Sequence, residues 1–397
     1  MNTLKFLFRL ALLSVFCILA GAETQAASYL YAINDNTARS QIYGFSVNET
    51  TSTLTDQIVQ PTNALGATGL VNGIASVNFA PNTIVDAPVD FNGDGKSDFV
   101  VARSFGPGLP ATWFINYNGS GNNLSQAIQF GSGVGYTGGD VPVPEDYDGD
   151  GKDDIAVWRE NVNNFSYYYI FRSSDSTFQA VQFGKPGDDP TIVGDYDGDN
   201  KADVAVFRDP MLTPVAPCGS STVWYYRPSA TPNVDFRYVC WGAYGDRVAP
   251  GDYDGDGKND NAVFRFVDGA GVFFVNKSGG GTEAVYWGTP GDQMMPGDYD
   301  GDGKTDYAVA RQTTPREFYI RTQTGATQFY QFGINTDVPV PGDYNGDGKT
   351  DIAVFRQISD LTSKYFFIRP AGTSGEADFA FQWGQQSDHP VATYNFH

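Results

Sequence analysis

The stretch Asp146-Tyr-Asp-Gly-Asp-Gly-Lys-Asp-Asp154 returns five more times with small changes, starting at Asp90, Asp195, Asp252, Asp298 and Asp343. Asp, or Asn at two places, falls at positions 1, 3, 5 and 9, with Gly or Asn at positions 4 and 6. Alternate residues of a tight loop can turn their oxygens toward one centre, and glycine lets the backbone wrap closely around it. A numerous, flexible, all-oxygen donor set suits a hard cation, Ca²⁺ above all. Position 7 is Lys in every copy; its backbone carbonyl can ligate, with the side chain expected in water. The predicted ligands are Asp90, Asn92, Asp94, Lys96 and Asp98; Asp146, Asp148, Asp150, Lys152 and Asp154; and Asp195, Asp197, Asp199, Lys201 and Asp203. The later loops supply Asp252, Asp254, Asp256, Lys258 and Asp260; Asp298, Asp300, Asp302, Lys304 and Asp306; and Asp343, Asn345, Asp347, Lys349 and Asp351. About six Ca²⁺ are expected, one per loop. The bland alternative, six solvated Asp/Gly turns, leaves the acid at position 9 unexplained.

The first half of the unit looks like an EF-hand loop, but the second half does not. An EF-hand needs a bidentate Glu at position 12 and flanking helices. Position 12 is Val in all six copies: Val101, Val157, Val206, Val263, Val309 and Val354. Each loop runs instead into a short apolar strand such as Ile155-Ala-Val-Trp-Arg159. The loop therefore joins two strands.

Short β-branched and aromatic runs broken by Gly, Asn, Asp and Pro predict an all-β chain. Loop starts 56, 49, 57, 46 and 45 residues apart suit four-stranded blades. In each repeat a short opening strand such as Asp337-Val-Pro-Val-Pro341 leads into the loop. An aromatic third strand (Tyr365-Phe-Phe-Ile368) and a fourth ending in Gln382-Trp-Gly384 follow. The units resemble FG-GAP/VCBS repeats, the calcium-binding β-propeller repeats also seen in integrin α-subunit heads. The likeness covers about residues 76–394, with Ala-Val-Phe-Arg standing where integrins carry Phe-Gly and Gly-Ala-Pro. It implies a propeller fold and bound calcium, without integrin-type ligand binding.

The chain ends set the expected blade count. Val77-Asn-Phe-Ala-Pro81 resembles the close of a fourth strand, preceded by strands at Tyr29–Ile33 and Gln41–Val47 and a long connection at about 48–74. Asp388-His-Pro-Val-Ala392 matches an opening strand. The expectation is a seven-bladed β-propeller over 28–397. Its six repeats run from about 84 to 384, and a composite blade from about 29–80 and 386–397 closes the ring.

Residues 1–22 read as a secretory signal: Lys5 and Arg9, an apolar stretch from Leu10 to Ala20, then Ala20-Gly-Ala22. The apolar run is too short for a membrane span. The protein is expected to be secreted, extracellular or at the cell surface, or else periplasmic. Its removal leaves Cys218 and Cys240, read as a disulfide across a hairpin in an oxidising compartment, with free thiols as the lesser alternative. The net charge of −21 is largely directed to the loops, whose positions 1, 3, 5 and 9 hold 22 of the 46 acids. With no basic patch to neutralise phosphates, nucleic acid is excluded as a partner.

Arg103, Arg159, Arg208, Arg265, Arg311 and Arg356 each close a second strand. Asp140, Asp246, Asp292, Asp337 and Asp388 open first strands, with Asp188 or Asp189 in the remaining repeat. Arg–Asp pairing around the ring is favoured over a rim for acidic sugars. Trp113, Trp224, Phe273, Tyr319 and Phe367 on the third strands are expected as core between blades. The unrepeated stretches 48–74, 104–111, 131–139 and 209–222 are the recognition candidates. The only histidines, His389 and His397, lie in the last nine residues, and no catalytic motif is recognised. The function expected is non-enzymatic binding or adhesion toward a cell-surface or matrix glycan or protein. An extracellular polysaccharide-degrading, lyase-like propeller is the alternative.

Overall fold

The computed structural model describes residues 29–34, 41–48, 53–61, 89–118, 125–134, 139–160, 164–209, 218–231, 235–357, 363–371 and 377–391. The expected signal at 1–22 and the strand expected at Val77–Pro81 lie outside them. Every named element is a β-strand. The chain divides into two units, Met1–Asn82 and Thr83–His397.

In the first unit, Tyr29–Asn34, Gln41–Asn48 and Thr53–Pro61 form an antiparallel three-stranded sheet in chain order. The third strand occupies part of the stretch read from sequence as a connection. Its Thr, Ile and Val have the β-branched character that reading passed over.

The second unit is a β-propeller of six blades, numbered here from the loop at Asp90. Blade 2 shows the pattern: Val141–Pro142, Ile155–Glu160, Ser166–Phe171 and Phe178–Gln182 pair antiparallel, each with the next. Blades 4, 5 and 6 repeat it. In blade 3 the opening strand is reduced to a bridge between Asp189 and Phe207.

Blade 1 corrects the expected count of seven. The C-terminal strand Asp388–Pro390 pairs antiparallel with Phe99–Ser104, and Pro110–Asn116 and Ser125–Ser132 complete the sheet. It makes no composite blade with the N-terminal strands. Among the described residues no other strand lies on that side of Phe99–Ser104, so the pairing fills an edge that would otherwise be exposed. Val391 is fully buried in the core of that blade.

Along each third strand one register position faces the core. Trp113, Tyr168, Trp224, Phe273, Phe318 and Phe366 occupy it, none more than 2% exposed. The expected core residues Tyr319 and Phe367 stand one position further on. The strand's period of two sends them to the other face, where they are only half-buried. Fourth-strand tryptophans then clip neighbouring blades: the indole N–H groups of Trp241, Trp287 and Trp383 donate to the carbonyls of Phe274, Tyr319 and Phe114 at 3.0–3.1 Å.

Candidate metal centres

Each acidic loop leads into the second strand of its blade, so all six lie at one end of the strands. The glycines at positions 4 and 6 have φ between 73° and 83°, a region side chains disfavour, and Asn200 at position 6 of the third loop takes 61°. This turn wraps the backbone around the position 1 carboxylate. Asp146 accepts from the amides of Gly149 at 2.6 Å and Gly151 at 2.8 Å, and the other five loops repeat the pattern.

The position 9 carboxylate is buried and anchors the loop from below. Asp260 accepts from the amide of Tyr253 at 2.9 Å with one oxygen, and from the amide of Ser278 at 2.6 Å with the other. Burial pushes these acids far above the ordinary 3.8: Asp98 to about 8, Asp203, Asp306 and Asp351 to about 7, and Asp154 and Asp260 to about 6. Hydrogen bonds from backbone amides pull the other way in every case, without cancelling desolvation. The position 1 acids are also raised by burial.

Position 3 separates the loops into two groups. In four of them one carboxylate oxygen, Oδ1 of Asp148, Asp197, Asp254 and Asp300, is buried with no hydrogen-bond partner. In three of them the other oxygen is held from outside the loop: Asp148 Oδ2 accepts from Arg172 Nε at 3.2 Å and from the Ser174 hydroxyl at 2.6 Å, and Asp197 and Asp254 accept from the amides of Ala230 and Gly279 at 3.1 and 3.2 Å. In these same four loops, carboxylate oxygens of three Asp residues lie within 4.8 Å of one another: Asp146, Asp148 and Asp154; Asp195, Asp197 and Asp199; Asp252, Asp254 and Asp260; Asp298, Asp300 and Asp302. In the remaining two loops the position 3 amide carbonyl is satisfied internally. Asn92 and Asn345 accept from the amides of Asp94 and Asp347 at 2.8 and 3.0 Å.

A buried carboxylate oxygen without a donor costs several kcal/mol. Like charges about 4 Å apart add roughly 4 kcal/mol per pair at an effective dielectric near 20. A divalent cation relieves both, so the donor set fits Ca²⁺ chemically.

Two contributions escaped the sequence reading. The aromatic at position 2 is a Tyr in five loops, buried in all but the partly buried Tyr147, and its hydroxyl donates to the carbonyl four residues earlier, as Tyr253 does to Ala249 at 2.8 Å. The turn between third and fourth strands forms the wall of the site. The Ser173, Ser229 and Ser278 hydroxyls donate to Asp150, Asp199 and Asp256 at 2.8–2.9 Å. The Tyr after the first Asp of five loops was visible in the sequence as a signal; the turn serines are separated from the loops by a whole hairpin.

The lysines correct an expectation. Their side chains do not simply extend into water but lie across the preceding loop. A Cβ on Gly149 would come within 2.8 Å of Lys201, and Gly346 stands in the same relation to Lys96. Lys201 and Lys258 donate to the carbonyls of Asp148 and Asp197 at 2.8 and 3.0 Å.

At the opposite end of the strands the six Arg–Asp pairs form as expected. Each arginine meets its Asp through Nε and Nη2 at 2.5–2.9 Å, and Asp188, not Asp189, serves Arg208. Each guanidinium also lies 4.4–4.9 Å from a third-strand ring: Phe114, Tyr169, Tyr225, Phe274, Tyr319 and Phe367. Tyr319 and Phe367, expected as core between blades, are partly buried against the cores there and carry these cation contacts as well. His389 is half-buried in the closing strand, its pKa lowered by burial and by Lys364. Cys218 and Cys240 form a disulfide with Cα atoms 5.4 Å apart. Of the recognition stretches, the described parts of 104–111, 131–139 and 209–222 connect strands at this arginine end. The stretch 48–74 contains Thr53–Pro61 in the first unit, its remainder lying mostly outside the described residues.

Among solved structures, the chain is similar to a prolyl endopeptidase at 10% identity, covering 79% of this chain and 50% of that one, with a TM-score of 0.36. A mutant of AofleA from Arthrobotrys oligospora matches at 9% identity over 75% and 91% of the two chains, with a TM-score of 0.34. A post-proline cleaving enzyme from Rickettsia typhi matches at 11% over 88% and 50%, with a TM-score of 0.30. The chain thus spans about half the length of either peptidase. No curated protein matches the sequence. The model of the FG-GAP-like repeat matches residues 90–157, 146–206 and 298–354, each match running from the first Asp of a loop to a position 12 Val. By these matches the chain carries FG-GAP-like repeats over residues 90–206 and 298–354.

Proposed function

We propose that the six loops hold calcium, and that the braced ring is an exported, non-catalytic module binding a glycan or protein outside the cell. The observation that carries the metal reading is the buried, partnerless oxygen on Asp148, Asp197, Asp254 and Asp300. Positions 1, 3, 5 and 9 and the position 7 carbonyl would hold the ion. Bound calcium supplies charge neutralisation and cross-linking. The chain's own residues set the loop: position 1 folds it, position 9 anchors it, and the third-to-fourth-strand turn closes its wall.

Export is supported by the Cys218–Cys240 disulfide, which suits an oxidising compartment. Binding is supported by the division of labour between the two ends of the strands. One end is nearly uniform and acidic, whereas the unrepeated connections 104–111 and 209–222 belong to the other. Nearly half the acids are committed to the loops, leaving few for acid–base work. Calorimetric titration of chelated protein with CaCl₂, followed by a glycan and matrix-protein screen with calcium and with chelator, tests both parts. The expected result is calcium uptake and calcium-dependent capture of one ligand class. No uptake, or turnover of a polysaccharide, defeats the reading.

A further inference from the structure

The junction between blades 6 and 1 differs from the other five. In those, the glycine after the fourth-strand Phe or Trp packs against the next blade. A Cβ on Gly131, Gly184, Gly242, Gly288 or Gly333 would lie 3.1–3.4 Å from Val157, Val206, Val263, Val309 or Val354 respectively. At Gly384 the nearest atoms are those of Phe355 and Lys364, in its own blade, at 3.2–3.5 Å. The corresponding valine, Val101, and Gly384 both line a cavity of about 750 Å³. That volume lies within the range of small-molecule sites, about 300–1,000 Å³.

We propose that this seam cavity binds a neutral saccharide, which names a site for the glycan reading above and rests on it. Phe114 and Trp383 bring aromatic surface to the cavity, the kind of surface an apolar sugar face packs on. Ser363, Gln382 and Gln385 bring hydroxyl and amide groups that both donate and accept, matching the dual character of sugar hydroxyls. Charge selects against acidic sugars. Among the described residues the one cation lining the cavity is Arg103, committed through Nε and Nη2 to Asp388 at 2.5 and 2.8 Å and stacked on Phe114 at 4.4 Å. The chain's net charge of −21 further disfavours anions.

Saturation-transfer NMR on the full chain in CaCl₂ tests the site, with methyl β-glucopyranoside, methyl β-galactopyranoside, N-acetylglucosamine and glucuronic acid as probes. At least one neutral probe is expected to take up saturation, and glucuronic acid is not. Gln385→Ala should weaken that probe about fivefold, the size of one lost hydrogen bond, without moving the melting temperature. Gln385→Trp should fill the cavity and abolish binding. Trp241→Phe, at the equivalent place in another blade, serves as a control for folding, because Phe130, Phe183 and Phe332 hold that place elsewhere. The proposal is overturned if no neutral probe binds, if glucuronic acid is preferred, or if binding survives both the alanine and the filling variants. Survival in those variants would leave a glycan-binding ring with its site elsewhere. Failed calcium uptake would overturn the metal reading and not this one.

Discussion

The amide of Ser97 donates to the carbonyl of Asp343 over 2.7 Å, joining the first acidic loop of the chain to the last. The same bond, from position 8 of one loop to position 1 of the loop before it, joins Asp153 to Asp90, Ala202 to Asp146, Asn259 to Asp195, Thr305 to Asp252 and Thr350 to Asp298 at 2.6–2.9 Å. Six such bonds form a complete cycle. The six loops are therefore one continuous belt, with the seam bonded as an internal junction is.

The belt predicts coupling between neighbouring sites. The peptide between Lys258 and Asn259 faces two loops: its N–H reaches Asp195, and its carbonyl is a proposed ligand of the loop at Asp252. A cation drawing on that carbonyl polarises the group and strengthens its donor. Calcium should therefore slow hydrogen exchange at Asn259. Asp256→Ala should remove the slowing there and leave it intact at Thr350. Equal exchange at Asn259 with and without calcium would refute the coupling.

Ring closure at the other end depends on Asp388, fully buried beneath Arg103, which is itself only 14% exposed. Asp388→Ala would strand a largely buried guanidinium, at a cost on the order of 3 kcal/mol. Thermal unfolding should show a clear loss in melting temperature for the whole propeller, whereas Asp175→Ala, at an exposed turn, should show none. A melting temperature unchanged by Asp388→Ala would mean that the C-terminal strand is not needed to complete the ring.

Burial raises the position 9 acids, which fixes the sign of the pH dependence. Between about pH 4 and pH 8 the metal-free folded chain holds more protons than the unfolded chain, so its stability falls as pH rises through that window. Calcium displaces those protons and should cancel the fall. Calorimetry at pH 5 and pH 8 should find the chelated protein melting lower at pH 8, with the largest gain from calcium there. A chelated protein equally stable at both values would contradict the account.

The loops containing Asn92 and Asn345 each carry one charge fewer, and they are neighbours across the seam. Titration should resolve four tighter sites and two weaker ones. Asn92→Asp or Asn345→Asp should tighten its own loop on the order of tenfold, about 1.4 kcal/mol. Six indistinguishable sites would rule out this division.

Much of the molecule follows from the sequence by itself, because its information is local. Aspartates at positions 1, 3, 5 and 9 with glycine at 4 and 6 specify a loop that folds on its own first carboxylate, wherever it is placed. The apolar run to the position 12 Val specifies the strand that follows. Six recurrences of Arg and Asp at fixed offsets were enough to foresee their pairing, since both ends lie within one blade or its repeat image. The tertiary structure decided what depends on distant partners. Which second strand receives Asp388–Pro390 is set by which edge is unfilled, and the opening-strand motif is the same for either choice; hence six blades and not seven. The strand period fixes that Tyr319 and Phe367 share a face, but only packing against the next blade selects Phe318 and Phe366 for the core. The lysines cross onto neighbouring loops because the ring brings position 7 of one repeat over position 4 of another, a proximity created by closure and not written in either loop.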